Sequence, residues 1–267
     1  MFDYHIHCSY SDDCETPALE QLRAARAAGV TELCFADHVD FDGCHIDGSF
    51  LRPADIAARN AEIEALRADF PDITIRLGVE VGLGDEAAAK NAWAHIQGTN
   101  PDFVFASVHL VKGVNAYAPI YYEGRTKEEA YARYVEHIHA CIRTNPYFCV
   151  LGHYDFCAKF APYADRTFYY AHAPEHLDGI FRYLIEQGKG LEINTATWQD
   201  SPCWGLDALT RYRELGGEFV TFGSDAHRPG RVGWRINEAV ELARAAGIPY
   251  TATFQAMQPT FHALDKL

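Results

Sequence analysis

The 267-residue chain exceeds the usual domain of roughly 100 to 200 residues but matches the roughly 250 of one α/β barrel, so a single domain over 1–267 is expected. Hydrophobic residues make up 48% and no apolar run nears the roughly 18 residues of a membrane span, which excludes disorder and membrane insertion and leaves a soluble globular protein. A formal charge of −14, from 23 Lys and Arg against 37 Asp and Glu, repels a nucleic-acid backbone, so nucleic acid is not an expected partner.

Short strand-like runs alternate with amphipathic helical stretches along the whole chain. Phe2 to His7 precedes Thr16 to Ala28, Glu32 to Asp37 precedes Pro53 to Phe70, and Ile73 to Val81 precedes Glu86 to Gln97. Phe103 to Val108 then precedes Lys127 to Asn145, and Phe148 to Leu151 precedes Pro174 to Gln187. Gly190 to Ile193 precedes Leu206 to Leu215, Phe219 to Phe222 precedes Trp234 to Ala246, and Tyr250 to Phe254 is an extra strand. Thr16-Pro17 and Arg52-Pro53 read as helix starts, and Gly29, Gly188, Gly216 and Gly247 as C-terminal stops. Seven βα units imply a parallel sheet, and because no GxGxxG follows the first strand, a closed barrel is expected over a dinucleotide-binding fold. The first residues lack the basic and apolar regions of a secretory leader, so a cytoplasmic protein is expected. Its eight cysteines include no CxxC pair and read as small reduced apolar fillers.

Thirteen histidines is the unusual count. His5 and His7 are two apart on the first strand, which puts both on one face. Later strands end in Asp37-His38, Glu80, His109, His153 and Asp225-Ala226-His227, at the end of a βα barrel where active sites lie. Any one of these histidines alone reads as a hydrogen-bonded core residue. Glu80, between Val79 and Val81, is different, because an ionised carboxylate among apolar neighbours needs a partner. Together His5, His7, Asp12, His38, Glu80, His109, His153, Asp225 and His227 form a nine-residue candidate ligand set, and the absence of cysteine from it favours a catalytic over a structural metal site. His45, His95, His137, His139, His172, His176 and His262 fall off this rim, and Asp3, Asp40, Asp42 and Asp47 read as ordinary loop or cap residues.

Seven ordered motifs resemble the polymerase-and-histidinol-phosphatase (PHP) superfamily, and within it the histidinol-phosphatase branch. They are Asp3-Tyr4-His5-Ile6-His7-Cys8-Ser9-Tyr10-Ser11-Asp12-Asp13, Phe35-Ala36-Asp37-His38, Gly78-Val79-Glu80-Val81-Gly82-Leu83, Ala106-Ser107-Val108-His109, Leu151-Gly152-His153-Tyr154-Asp155, Glu192-Ile193-Asn194-Thr195 and Gly223-Ser224-Asp225-Ala226-His227. The resemblance implies a distorted (β/α)7 TIM-like barrel with three divalent transition metals, zinc, manganese or iron. One metal would take His5, His7, Glu80 and Asp225, a second Glu80, His109 and His153, and a third His38, His227 and an early-loop acid, either Asp12 or the adjacent Asp13. The implied reaction is hydrolysis of a small phosphate ester, L-histidinol phosphate to L-histidinol and phosphate. Clustered metals would neutralise the phosphate dianion and supply hydroxide, while Asp37 or His227 protonates the leaving alkoxide. The resemblance departs at Lys159 and near Ala196-Thr197-Trp198-Gln199, where many members of the branch carry arginine. Lysine binds phosphate only as a point charge, so Arg228 or Arg231 could compensate. Two alternatives are the same chemistry on a nucleotide or sugar phosphate, with Trp198, Trp204 or Tyr154 stacking on the ring, and a metal-binding module without turnover.

Overall fold

The computed structural model describes residues 1–41, 52–198 and 204–267. Seven parallel strands each precede a helix: β1 (Phe2–Ile6) and α1 (Ala18–Ala28), β2 (Glu32–Phe35) and α2 (Ile56–Leu66), β3 (Thr74–Gly82) and α3 (Glu86–Ile96), β4 (Phe103–Ser107) and α4 (Lys127–Cys141). They continue with β5 (Val150–Leu151) and α5 (Pro174–Glu186), β6 (Gly190–Asn194) and α6 (Leu206–Glu214), and β7 (Phe219–Gly223) and α7 (Ile236–Ala245). The strands pair in sequence order from β1 to β7, and just past β7 a parallel bridge joins Ala226 to Ile6 of β1. His7 N donates to Ala226 O at 3.0 Å across this seam. This is the expected TIM-like arrangement, and among the described residues no helix is long and apolar enough to cross a membrane.

Local chemistry sets the element ends. Asp55 and Asp85 accept from the third backbone N–H of α2 and α3, and Thr126 with Glu129 closes a capping box on α4. Gly29 ends α1 at φ +73°, in the left-handed region that glycine enters without a Cβ penalty.

The barrel is distorted at β7. Its first two residues pair with β8 (Tyr250–Gln255), and β8 turns back into antiparallel β9 (Gln258–Ala263), a strand the sequence reading did not include. The hairpin seals the lower end, where Tyr4, Phe103, Phe219 and Phe254 form a buried cluster. The Tyr4 hydroxyl accepts from Phe254 N at 2.8 Å and donates to Glu32 at 2.5 Å. Apolar clusters between strands and helices fill the rest, so the opposite end of the barrel holds the polar groups. The six described cysteines are buried and free of disulfides; Cys44 and Cys203 lie outside the described residues, as do His45, Asp42, Asp47 and Gln199.

Candidate active site

At the C-terminal ends of the strands the side chains converge on Glu80. The β3 backbone carries this carboxylate to the centre, where its two oxygens face opposite groups. Oε2 lies 3.1 Å from His5 Nε2, 3.0 Å from His38 Nδ1 and 3.5 Å from His7 Nε2. Oε1 lies 2.8 Å from His153 Nε2 and 3.4 Å from His109 Nε2. Asp225, just past β7 at φ +50°, brings Oδ1 to 3.4 Å from His7 Nε2 and 3.8 Å from His5 Nε2. Among the described residues, three groups have ligand atoms close enough to share a cation: His5, His7 and Asp225; His7, His38 and His227; and His38, Glu80 and His109.

The electrostatics are those of a cation site. Burial works to raise the Glu80 carboxyl, but His5, His109 and His38 hold it well below the usual range. Burial likewise opposes Asp225, which Lys159 and His5 keep ionised. His7 is pushed down to about 3 by burial and by the neighbouring His227 and His38, so it is a neutral imidazole. His7 Nε2, His38 Nδ1 and His227 Nε2 are buried without a hydrogen-bond partner, although carboxylate oxygens lie 3.0 to 3.5 Å away. His5 Nε2 and His153 Nε2 do bond Glu80, at 3.1 and 2.8 Å, so the cluster mixes bonded and unbonded ring nitrogens around the same carboxylates. Nitrogen and oxygen donors in this arrangement fit divalent metal ions.

A second ring of groups fixes the tautomers. Glu192 accepts from His5 Nδ1 at 2.7 Å and from His153 N at 2.9 Å, leaving His5 Nε2 turned inward toward Glu80. Space around Glu192 is tight: a Cβ on Gly223 would stand 2.1 Å from its Oε1, which accounts for the glycine before Ser224-Asp225. Asp40 plays the same part for His109 Nδ1 at 2.9 Å, and Ser11 for His7 Nδ1 at 3.0 Å. The sequence reading missed these positioning roles and took Asp40 as an ordinary loop residue. The available signals were Asp40 two residues after His38 and Glu192 at a buried strand position. Asp3 was also misread. It is fully buried and clasps the seam by accepting from Ser224 N, Ser224 Oγ and Gly233 N.

Other expectations are corrected. Asp12 turns its carboxylate to Arg52, 3.0 Å from Nε, while Asp13 reaches His227 at 3.1 Å and His38 at 3.5 Å. Asp37 is fully buried behind the cluster. It accepts from Cys8 N, Ser11 Oγ and Arg59 Nη1. Burial would raise its pKa, but Arg59 and the hydrogen bonds from Cys8 N and Ser11 hold it below the ordinary value, so it keeps no proton for a leaving group. His227 has Nδ1 3.0 Å from Asp225 O and Nε2 toward Asp13, which suits a ligand and not a proton donor. Trp198, Trp204 and Tyr154 are buried, and Trp204 Nε1 donates to Asp155, so none presents a face for ring stacking.

Above the cluster opens a cleft of about 920 Å³. Lys159 lies on it with Nζ 2.9 Å from Asp225 Oδ2. Arg228 and Arg231 also line it, and the Arg231 guanidinium sits 4.0 Å above the Trp234 ring.

A family model described as PHP domain matches residues 3–196. The chain belongs to the PHP domain family. It is 33% identical to a histidinol-phosphatase of Lactococcus lactis, over 96% of this chain and 95% of that protein. A probable histidinol-phosphatase of Clostridium acetobutylicum is 29% identical, with 91% and 92% covered. The crystal structure of histidinol phosphate phosphatase from L. lactis, complexed with zinc, L-histidinol and phosphate, superposes with a TM-score of 0.88 at 31% identity, covering 97% and 98% of the two chains.

Proposed function

We propose that this PHP-family chain is a metal-dependent phosphomonoesterase of one domain that hydrolyses L-histidinol phosphate to L-histidinol and phosphate. The convergence of histidines and acids on Glu80, at the base of a cleft with cationic side chains, carries the reading. The end-to-end likeness to a phosphatase holding zinc, L-histidinol and phosphate supports the substrate.

Three ions of zinc, manganese or iron would be held. His5, His7, Glu80 and Asp225 would take one, Glu80, His109 and His153 a second, and His38, His227 and Asp13 a third, with Asp13 in place of Asp12. The opposed contacts of the two Glu80 oxygens support its bridging role. When bound, such ions neutralise a phosphate dianion and supply hydroxide near neutral pH. The chain's own residues do the rest. Glu192 and Asp40 hold the Nδ1 protons of His5 and His109, Ser11 holds that of His7, and Lys159 and Arg231 offer cations to the phosphate oxygens.

The test is phosphate release from L-histidinol phosphate by zinc-loaded protein, beside a panel of nucleotides and sugar phosphates. Chelator-sensitive release that is fastest on histidinol phosphate is expected. A faster nucleotide or sugar phosphate, or no release at all, would overturn the reading.

A further inference from the structure

His5, His109 and His7 are each held at Nδ1 from behind, but His7 is held in a different way. Glu192 and Asp40 are carboxylates, which only accept, so they fix the protons of His5 and His109 directly. His7 Nδ1 instead faces Ser11 Oγ at 3.0 Å. A hydroxyl both donates and accepts, so by itself it sets no tautomer. What sets it lies one group further back.

Ser11 Oγ is buried among three polar neighbours. It lies 2.8 Å from Asp37 Oδ1, 3.2 Å from His38 N and 3.0 Å from His7 Nδ1. The carboxylate takes the single hydroxyl hydrogen, and the His38 N–H takes one lone pair. The remaining lone pair faces His7, whose Nδ1 must then carry the ring proton. His7 Nε2 is left as a bare lone pair, 3.5 Å from Glu80 and 3.4 Å from Asp225.

Asp37 cannot take the opposite part. Its Oδ1 accepts from Cys8 N at 2.9 Å as well as from Ser11, and its Oδ2 from Arg59 Nη1 at 3.1 Å and Cys8 Sγ at 3.2 Å. Four donors leave neither oxygen room for a proton. Arg59 is fully buried and itself fixed, with Nη2 donating to Gly78 O at 2.7 Å and to Asn60 Oδ1 at 2.8 Å. The chain of bonds from Arg59 through Asp37 and Ser11 to His7 therefore runs in one direction, set at its charged end.

We propose that Asp37 and Arg59 are positioning residues that act through the Ser11 hydroxyl to hold His7 in its Nδ1–H tautomer, keeping Nε2 free for a divalent metal ion. This deepens the metal-dependent reading of the cluster and rests on it. Groups behind a ligand in this way change metal affinity by roughly 10- to 100-fold.

The test compares the full chain with its Asp37→Ala/Arg59→Leu variant, which removes both charges together so that neither is left buried and unpaired. There the Ser11 hydrogen is free to turn to His7 Nδ1 and drive the ring proton to Nε2. Zinc affinity, read by competition with a chelating dye, should fall roughly 10- to 100-fold. Adding Ser11→Ala removes the misdirected hydroxyl, so the triple variant should bind zinc as well as the pair variant or better. Losses that multiply instead would mark a merely structural role and overturn the proposal. Nitrogen-15 NMR of the metal-free wild-type chain reads the tautomer without any substitution: a His7 proton on Nδ1 is expected, and one on Nε2 overturns the proposal. A wild type that keeps this proton on Nδ1 but binds no zinc would sink the metal reading itself, so the two failures are told apart.

Discussion

Lys159 pairs with Asp225 at 2.9 Å, and burial there is outweighed by Asp225, so its pKa is raised and the ammonium stays charged. A point charge beside the cluster strengthens its hold as negative charge shifts onto phosphate oxygens in the transition state. Lys159→Ala should lower kcat/KM by roughly ten- to a thousandfold, about 1.4 to 4 kcal/mol, with metal content unchanged. Steady-state kinetics beside elemental analysis checks this, and full activity in the variant would remove Lys159 from the phosphate. Residue identity was legible in the sequence where a type is chemically costly, as with Glu80 between two valines. Residue direction was not. Asp12 and Asp13 are adjacent acids in one loop, and which of them faces the histidines is decided by Arg52, 40 positions on. Asp37 next to His38 likewise looked like a proton donor until Arg59 on a later helix was found against it.

Arg59 also binds elements together. From α2 its Nη1 donates to Phe35 O of β2 and to Asp37, and its Nη2 to Gly78 O of β3, with both ionic partners fully buried. Breaking a buried pair leaves an uncompensated charge, so Arg59→Leu should cost roughly 3 to 5 kcal/mol in chemical denaturation. The sign with pH follows from the lowered folded pKa of Asp37. Its contribution is full above the unfolded carboxyl value of 3.8 and is lost as pH falls through the lower folded value. The acid limb of stability below about pH 4 should therefore flatten in Asp37→Asn, and an unchanged acid limb would contradict the pairing. At this scale the sequence was most readable, because periods of 2 and 3.6 marked all seven βα units. β9 escaped because Gln258 to Phe261 are exposed without alternation. Its turn puts Ala256 and Met257 at positive φ where glycine or asparagine is the usual signal. Distant Asp102 secures that turn by accepting from both backbone N–H groups.

For the molecule as a whole the formal charge is −14, and three of the acids, Glu80, Asp225 and Asp13, meet at one shared set of imidazoles. Removing bound ions should raise mutual repulsion there, since the anions lose their counter-charge in a buried setting. Protein prepared without chelator should carry about three transition metals per chain, because nine donors divide into three sets through one bridging carboxylate. Elemental analysis with a thermal melt checks this. Glu80→Gln should lose more metal than any single histidine variant and melt lower. Reproducible saturation at one ion would reduce the assignment to a mononuclear site.

The seam between β1 and the residues after β7 also has a meaning in time. Asp3 and Ser224, which clasp it, are 221 positions apart. At synthesis rates of about 5 to 20 residues per second, roughly 11 to 44 seconds separate their emergence from the ribosome. Throughout that interval His5 and His7 lack Asp225 opposite them, and for most of it they lack Glu192 to set a tautomer. The ring of donors exists only after the last parallel strand has docked. Which cation is admitted is thus decided by the finished cavity and not by the order in which its ligands are made.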